Sequence, residues 1–130
     1  MAITYESLVE RFKLPERVLK EKCHSSVQLA VASKLTRWRS AVPYLLPENG
    51  KEVEDAIEQE PCWGGEVKRR KLLERWEEFY GPEATNGRLI KSLLSAERVE
   101  LAEVVLEKLG EPKLAKLLIL VALLVAFSLY

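Results

Sequence analysis

The sequence predicts an all-α protein: a bundle of six main antiparallel helices, with a short helical lead-in before it and a hydrophobic helix after it. Three observations carry this expectation. Apolar residues recur at spacings of three and four along most of the chain, which is the period of a helix with one buried side. No alternating, strand-like stretch of useful length interrupts them. Proline, glycine and small polar residues divide the pattern into short segments, and helices joined by short connections pack antiparallel.

Taken in order, Tyr5, Leu8, Val9 and Phe12 share one side of a short helix that Thr4 is placed to cap. Pro15 suits the first turn of a second short piece carrying Val18 and Leu19. Residues 1–24 therefore read as a lead-in that packs on the main domain or merely precedes it. The main domain, residues 25–110, opens at Ser25 or Ser26, either of which can cap. Val27, Val31 and Leu35 follow at intervals of four. Thr36 is a fresh cap for a second helix with Trp38, Val42 and Leu45 inside. Pro43 pushes Val42 away from α geometry, so this helix is expected to be short, kinked or split. Pro47 to Gly50 is a turn by composition. A short acidic helix over 51–60 turns Val53 and Ile57 inward, and Pro61 with Gly64 and Gly65 opens a loop. The strongest helix covers 66–80, with Val67, Leu72, Leu73, Trp76, Phe79 and Tyr80 on its buried side, and Gly81–Pro82 stops it. Thr85 caps the fifth helix, which pairs Leu89, Ile90, Leu93 and Leu94. Ser95 caps the sixth, with Leu101, Val104, Val105 and Leu109 inside and Gly110 at its end.

A chain of 130 residues supports one domain with a real core. Its 48% hydrophobic and 31% charged residues exclude disorder. Twenty basic residues balance twenty acidic ones, so no global field draws nucleic acid or an anionic membrane, and no net repulsion opposes self-association. Met1 leads into Thr4, Tyr5 and Glu6 without a cleavable apolar signal, so Cys23 and Cys62 are expected as reduced thiols in the cytosol.

Residues 66–109 read EVKRRKLLERWEEFYGPEATNGRLIKSLLSAERVELAEVVLEKL. They hold, in order, Trp76, Gly81, the Ala84–Thr85 pair, the Leu93–Leu94 pair, and the run from Arg98 to Glu103. In order and spacing this resembles the death domain. That family has a tryptophan late in its fourth helix, then a glycine, an Ala-Thr pair opening the fifth helix, a leucine pair, and a small polar turn into the sixth. Upstream, KLTRWRSAVPYLL with Trp38 resembles the family's second helix, and KEVEDAIEQE sits where the short third helix belongs. The resemblance covers roughly residues 25–109. Pro43 and the residues before Ser25 depart from the pattern. The resemblance implies a six-helix bundle acting as a non-enzymatic adaptor in signal transduction, apoptosis included. Such domains pair unlike surfaces, the second and third helices of one copy against the first and fourth of the next.

Catalysis is not expected. His24 is the single histidine, and it adjoins Cys23, but neighbouring helical positions point about 100° apart and do not form a dyad. Cys23, His24 and Cys62 supply three zinc ligands only if the fold gathers them, and no CxxC or HxxxH spacing supports it. No phosphate-cradling glycine loop, dinucleotide fingerprint or HExxH is present, so no metal or cofactor is expected. Trp38 and Trp76 read as core, because each buries well over about 150 Å². Trp63, in a Pro-Cys-Trp-Gly-Gly loop, reads either as an exposed contact or as a satellite of the core.

The run Lys68–Arg69–Arg70–Lys71 admits three readings: a phosphate-binding patch, a solvated helix face, or one side of a charged interface. The third reading pairs it with Glu52, Glu54, Asp55 and Glu58 on the preceding helix. Opposite charges on two patches of one molecule define a head-to-tail contact.

After Gly110-Glu111-Pro112 the composition changes, and Leu117 to Tyr130 is uncharged and apolar on all sides. Residues 114–130, interrupted by Lys116, extend ~25 Å as a helix, against a hydrocarbon core ~30 Å thick. With Lys113 and Lys116 at one headgroup layer and Tyr130 at the other, residues 113–130 are expected to be a tail anchor in an intracellular membrane, the domain facing the cytosol. A seventh core helix or a truncated chain is the alternative. The expected partners are other death-domain proteins or further copies, with no nucleic acid and no small-molecule substrate. Rival readings are a Bcl-2-like tail-anchored regulator, to which CWGGEVKRR bears a faint likeness, a small nucleic-acid binder using Lys68–Lys71, and a structural membrane subunit.

Overall fold

Thr4 sets the first turn: its hydroxyl accepts from the Ser7 N–H at 3.2 Å, while the Ser7 hydroxyl accepts from the Thr4 N–H at 3.2 Å. This reciprocal cap starts α1 (Tyr5–Phe12), which ends at Lys13 in a left-handed conformation. The fold is that of a computed structural model describing residues 3–129, the side chains of residues 111–118 excepted. Its helices continue as α2 (Glu16–Lys20), α3 (Ser25–Lys34), α4 (Trp38–Leu45), α5 (Gly50–Glu58), α6 (Gly65–Tyr80), a 3-10 turn (Gly81–Glu83), α7 (Asn86–Ser95) and α8 (Val99–Ser128). No strand occurs among the described residues, and the protein is all-helical.

The expected stripes point inward. Val27, Val31 and Leu35, then Trp38, Val42 and Leu45, then Leu72, Leu73 and Trp76 are buried, as are Leu89, Ile90, Leu93, Leu101 and Val105. α3 packs on α6 and α8, α4 on α5 and α7, α5 on α6, and α7 on α8. Pro43 lies exposed inside α4, which spans only Trp38 to Leu45 and so meets the expectation of a short helix. Phe79 departs from its expected place and is exposed, stacked edge-on against Tyr80 with ring centroids 5.0 Å apart.

The segment before Ser25 belongs to the core. Leu8, Leu19 and Cys23 join the same buried cluster as the main bundle, with α1 lying on α7 and α8, and α2 on α7. The Cys23 N–H donates to Ala84 O at 2.8 Å and the Asn86 N–H to Glu21 O at 3.0 Å, a short antiparallel pairing around Lys22 and Thr85. Asn86 then donates from its side chain to Val18 O at 2.9 Å. Residues 1–24 are thus no loose lead-in, as far as they are described.

Helix ends differ more than helix bodies. His24, rather than Ser25 or Ser26, caps α3, its Nδ1 accepting from the Ser26 N–H at 3.1 Å. Thr36 does not cap α4, because the Arg98 guanidinium takes its hydroxyl at 3.3 Å and also its carbonyl. Ser95 does not cap α8. α7 closes with Glu97 left-handed, the Glu97 N–H donating to Leu94 O at 3.0 Å and the Arg98 N–H to Leu93 O at 2.8 Å. Thr85 caps α7 as expected, accepting from the Arg88 N–H at 3.2 Å.

Gly110 does not end the last helix: α8 runs on from the bundle to Ser128, so the described part of the expected 113–130 helix is a continuation of α8 and not a separate helix. Among the described residues no helix is long and apolar enough to cross a membrane. The expected headgroup roles of Lys113 and Lys116, and of Tyr130, fall outside the described side chains.

Candidate interaction faces

The eight charged residues singled out on the third and fourth main helices lie on α5 and α6, which pack together, and the structure divides them sharply. Glu58 closes the C-terminal end of α5, where a negative charge opposes the helix dipole. Two cations answer it, Arg39 from α4 and Lys68 from α6, the latter at 3.5 Å. Arg69 turns inward and donates from Nε to Ala32 O at 2.7 Å, stitching α6 to α3. Lys71 pairs with Glu74 at 3.1 Å and lies over the Trp63 ring at 5.5 Å from its centroid. On α5, Lys51 answers Glu54 at 3.7 Å and Asp55 at 3.4 Å. Glu52 and Arg70, both exposed, form no ion pair among the described residues.

Arg70 borders a shallow groove of about 400 Å³ between α3 and α6, together with Ser25, Gln28, Leu29 and Leu73. The carboxylate of Glu77 in that groove is already engaged, with Lys22 at 3.3 Å and with Gln28 Nε2 at 3.1 Å. Leu29 on the rim is 50% exposed, and on the other helix pair Tyr44 of α4 is 48% exposed. Each charged face therefore carries one large apolar side chain that the core does not use. Neither was singled out from the sequence, although Leu29 lies two positions off the Val27–Val31–Leu35 stripe and so on the opposite side of its helix.

Trp63 is half-buried against the core, the satellite place rather than a free contact. Cys23, His24 and Cys62 are not gathered: Cys23 is buried, Cys62 is exposed, and the His24 ring caps α3. Among the described residues no three His, Cys, Asp or Glu side chains are grouped to hold a metal. Burial, helped by the Glu77 charge, pushes the Cys23 thiol up to about 12, so at neutral pH it is not a thiolate nucleophile.

A larger groove, about 800 Å³, opens between α1, α2 and α7, with Val9, Leu14 and Leu19 on its floor. Gly87 belongs here for a packing reason, since a Cβ at this position would come 2.9 Å from Tyr5 Oη and 3.1 Å from Leu19 O. Its walls carry charges of both signs, Glu6, Glu10 and Glu16 against Lys20, Arg88 and Lys91, so the groove favours no one class of ligand.

Comparison of the chain with protein-family models, with characterised proteins and with solved structures returned no match.

Proposed function

We propose that this chain is a non-enzymatic interaction module that assembles by pairing two unlike faces, in the manner of a death-domain adaptor in signalling. One observation carries the reading. After the ion pairs among the described residues are made, α3 and α6 keep an uncommitted cation, Arg70, beside exposed Leu29, while α4 and α5 keep Glu52 and exposed Tyr44. Such faces are complementary in charge and each offers apolar area, so the contact they make is head-to-tail and propagates unless its rotation closes. The six helices α3–α8, with Trp38 and Trp76 buried, support the same reading. A nucleic-acid surface is less well supported, because it needs a row of free cations and three of the four in Lys68–Lys71 are engaged within the protein.

Sedimentation of the full chain in a nonionic detergent tests the proposal. Larger species are expected at low salt and smaller ones at moderate salt, since exposed charge pairs are worth about 0–1 kcal/mol each and are screened. Arg70→Glu or Glu52→Arg alone weakens assembly, and the two in one chain restore it. Assembly indifferent to both substitutions and to salt sinks the pairing of these faces.

A further inference from the structure

The end of α8 is a different kind of surface from anything on the bundle. From Ile119 to Leu129 its large apolar side chains are 51% to 83% exposed. Successive helical residues step by about 100°, so the unbroken apolar run 119–127, Ala122 and Ala126 included, points to every side of the helix. A single partner helix covers one stripe of such a helix and leaves the rest in water, so covering it whole takes several protein elements or lipid. Among the described residues the bundle offers no broad exposed apolar face to cover it, since the groove over Val9, Leu14 and Leu19 is walled by charges of both signs. Its other exposed large hydrophobics are Ile3, Leu29, Tyr44 and Phe79, one before α1 and one each on α3, α4 and α6. The charge pattern is as one-sided as the exposure. Residues 117–130 carry no ionisable side chain except the Tyr130 phenol, and the last charged side chains before them are Lys113 and Lys116.

We infer that this end of α8 dissolves in the hydrocarbon of a lipid bilayer, entering from the end that carries the two lysines. Lipid is the one environment that wets a helix around its whole circumference without a matching surface, and cations before the apolar run favour the headgroup side. The described run, Ile119 to Leu129, is about 16 Å long, which reaches through roughly one leaflet of a ~30 Å core. Insertion is what its length supports, in keeping with the absence of a crossing helix among the described residues. The inference rests on the end of α8 alone and is independent of the Arg70 and Glu52 faces.

Flotation of the full chain decides it. The protein is mixed in mild detergent with phosphatidylcholine lipid, the detergent is removed, and the vesicles are floated on a density gradient. The wild-type chain is expected at the top, with the vesicles. Leu120→Arg and Leu124→Arg each lower partitioning by about 100-fold, the cost of a charge in hydrocarbon, and the double variant stays at the bottom. Its unchanged near-ultraviolet circular dichroism shows that the bundle is still folded. Arg70→Glu floats like the wild type, which separates this outcome from any failure of the assembly faces. Wild-type protein left at the bottom overturns the inference, whether as a discrete oligomer covering the helix with a second copy or as a pellet. So does a double variant that floats as well as the wild type, since lipid would then be held by the bundle surface.

Discussion

Cys23 is buried under α3, where Gln28 donates to its carbonyl at 3.3 Å, and Cys62 stands exposed in the loop before α6. Their chemistry separates accordingly. In the native protein at pH 8, iodoacetamide followed by mass spectrometry is expected to mark Cys62 and leave Cys23 unmodified until denaturant is added. Equal labelling of both would contradict the burial. The sign of the pH dependence follows from the same cause. Burial raises the Cys23 thiol from about 9 to about 12, so the folded state holds this proton more tightly than the unfolded chain. The resulting stabilisation is complete below about 9 and is lost as pH rises toward about 12. At this scale the buried tryptophans were legible in the sequence, because apolar area that large is costly to leave in water. The partition of the charged residues was not. Nothing in the run Lys68–Lys71 distinguishes Arg69, which turns to a backbone carbonyl of α3, from Arg70, which stays in solvent.

Among the elements, helix bodies could be read and helix ends only in part: Thr4 and Thr85 cap and Gly81 stops α6 as expected, whereas Ser25, Ser26, Thr36 and Ser95 do not cap. Bodies follow from local apolar spacing, as in the α6 segment expected over 66–80 and found from Gly65 to Tyr80. One end that departs is settled by a partner remote in sequence, Arg98 on the hydroxyl of Thr36, and another by local backbone closure, the Leu93 and Leu94 carbonyls closing α7 around Glu97. The place of α1 and α2 was equally hidden, because five- and eight-residue helices give no sign of what they cover. Leu8 is 1% exposed and sits in the common core, so Leu8→Ala is expected to cost about 2–5 kcal/mol in urea denaturation. A loss under about 1 kcal/mol would show that the segment is peripheral after all.

For the whole molecule, all-helical architecture and helix order were legible, and the continuity of α8 was not, because glycine and proline at 110 and 112 are ordinary stop signals. A glycine inside a helix and one just past its end respond oppositely to substitution. A Cβ at Gly110 meets nothing within 4 Å, so Gly110→Ala is expected to stabilise the folded chain by up to about 1 kcal/mol and to strengthen the far-ultraviolet helix signal. Destabilisation would instead mark a helix end at that point. The continuity also has a mechanical side. Force applied at the far end of α8, as drag on an embedded segment would apply it, is conducted along one helix into the bundle. The load passes first through Leu106, Val105, Ala102 and Leu101, buried where α8 lies on α1, α3 and α7, and ends at Arg98, whose guanidinium grips Thr36 and Arg37 of the α3–α4 connection and Ser40 of α4. Tension on the last turns is thus shared among three helices before it reaches the joint between the earliest main helices, 61 to 62 residues back along the chain for Arg37 and Thr36.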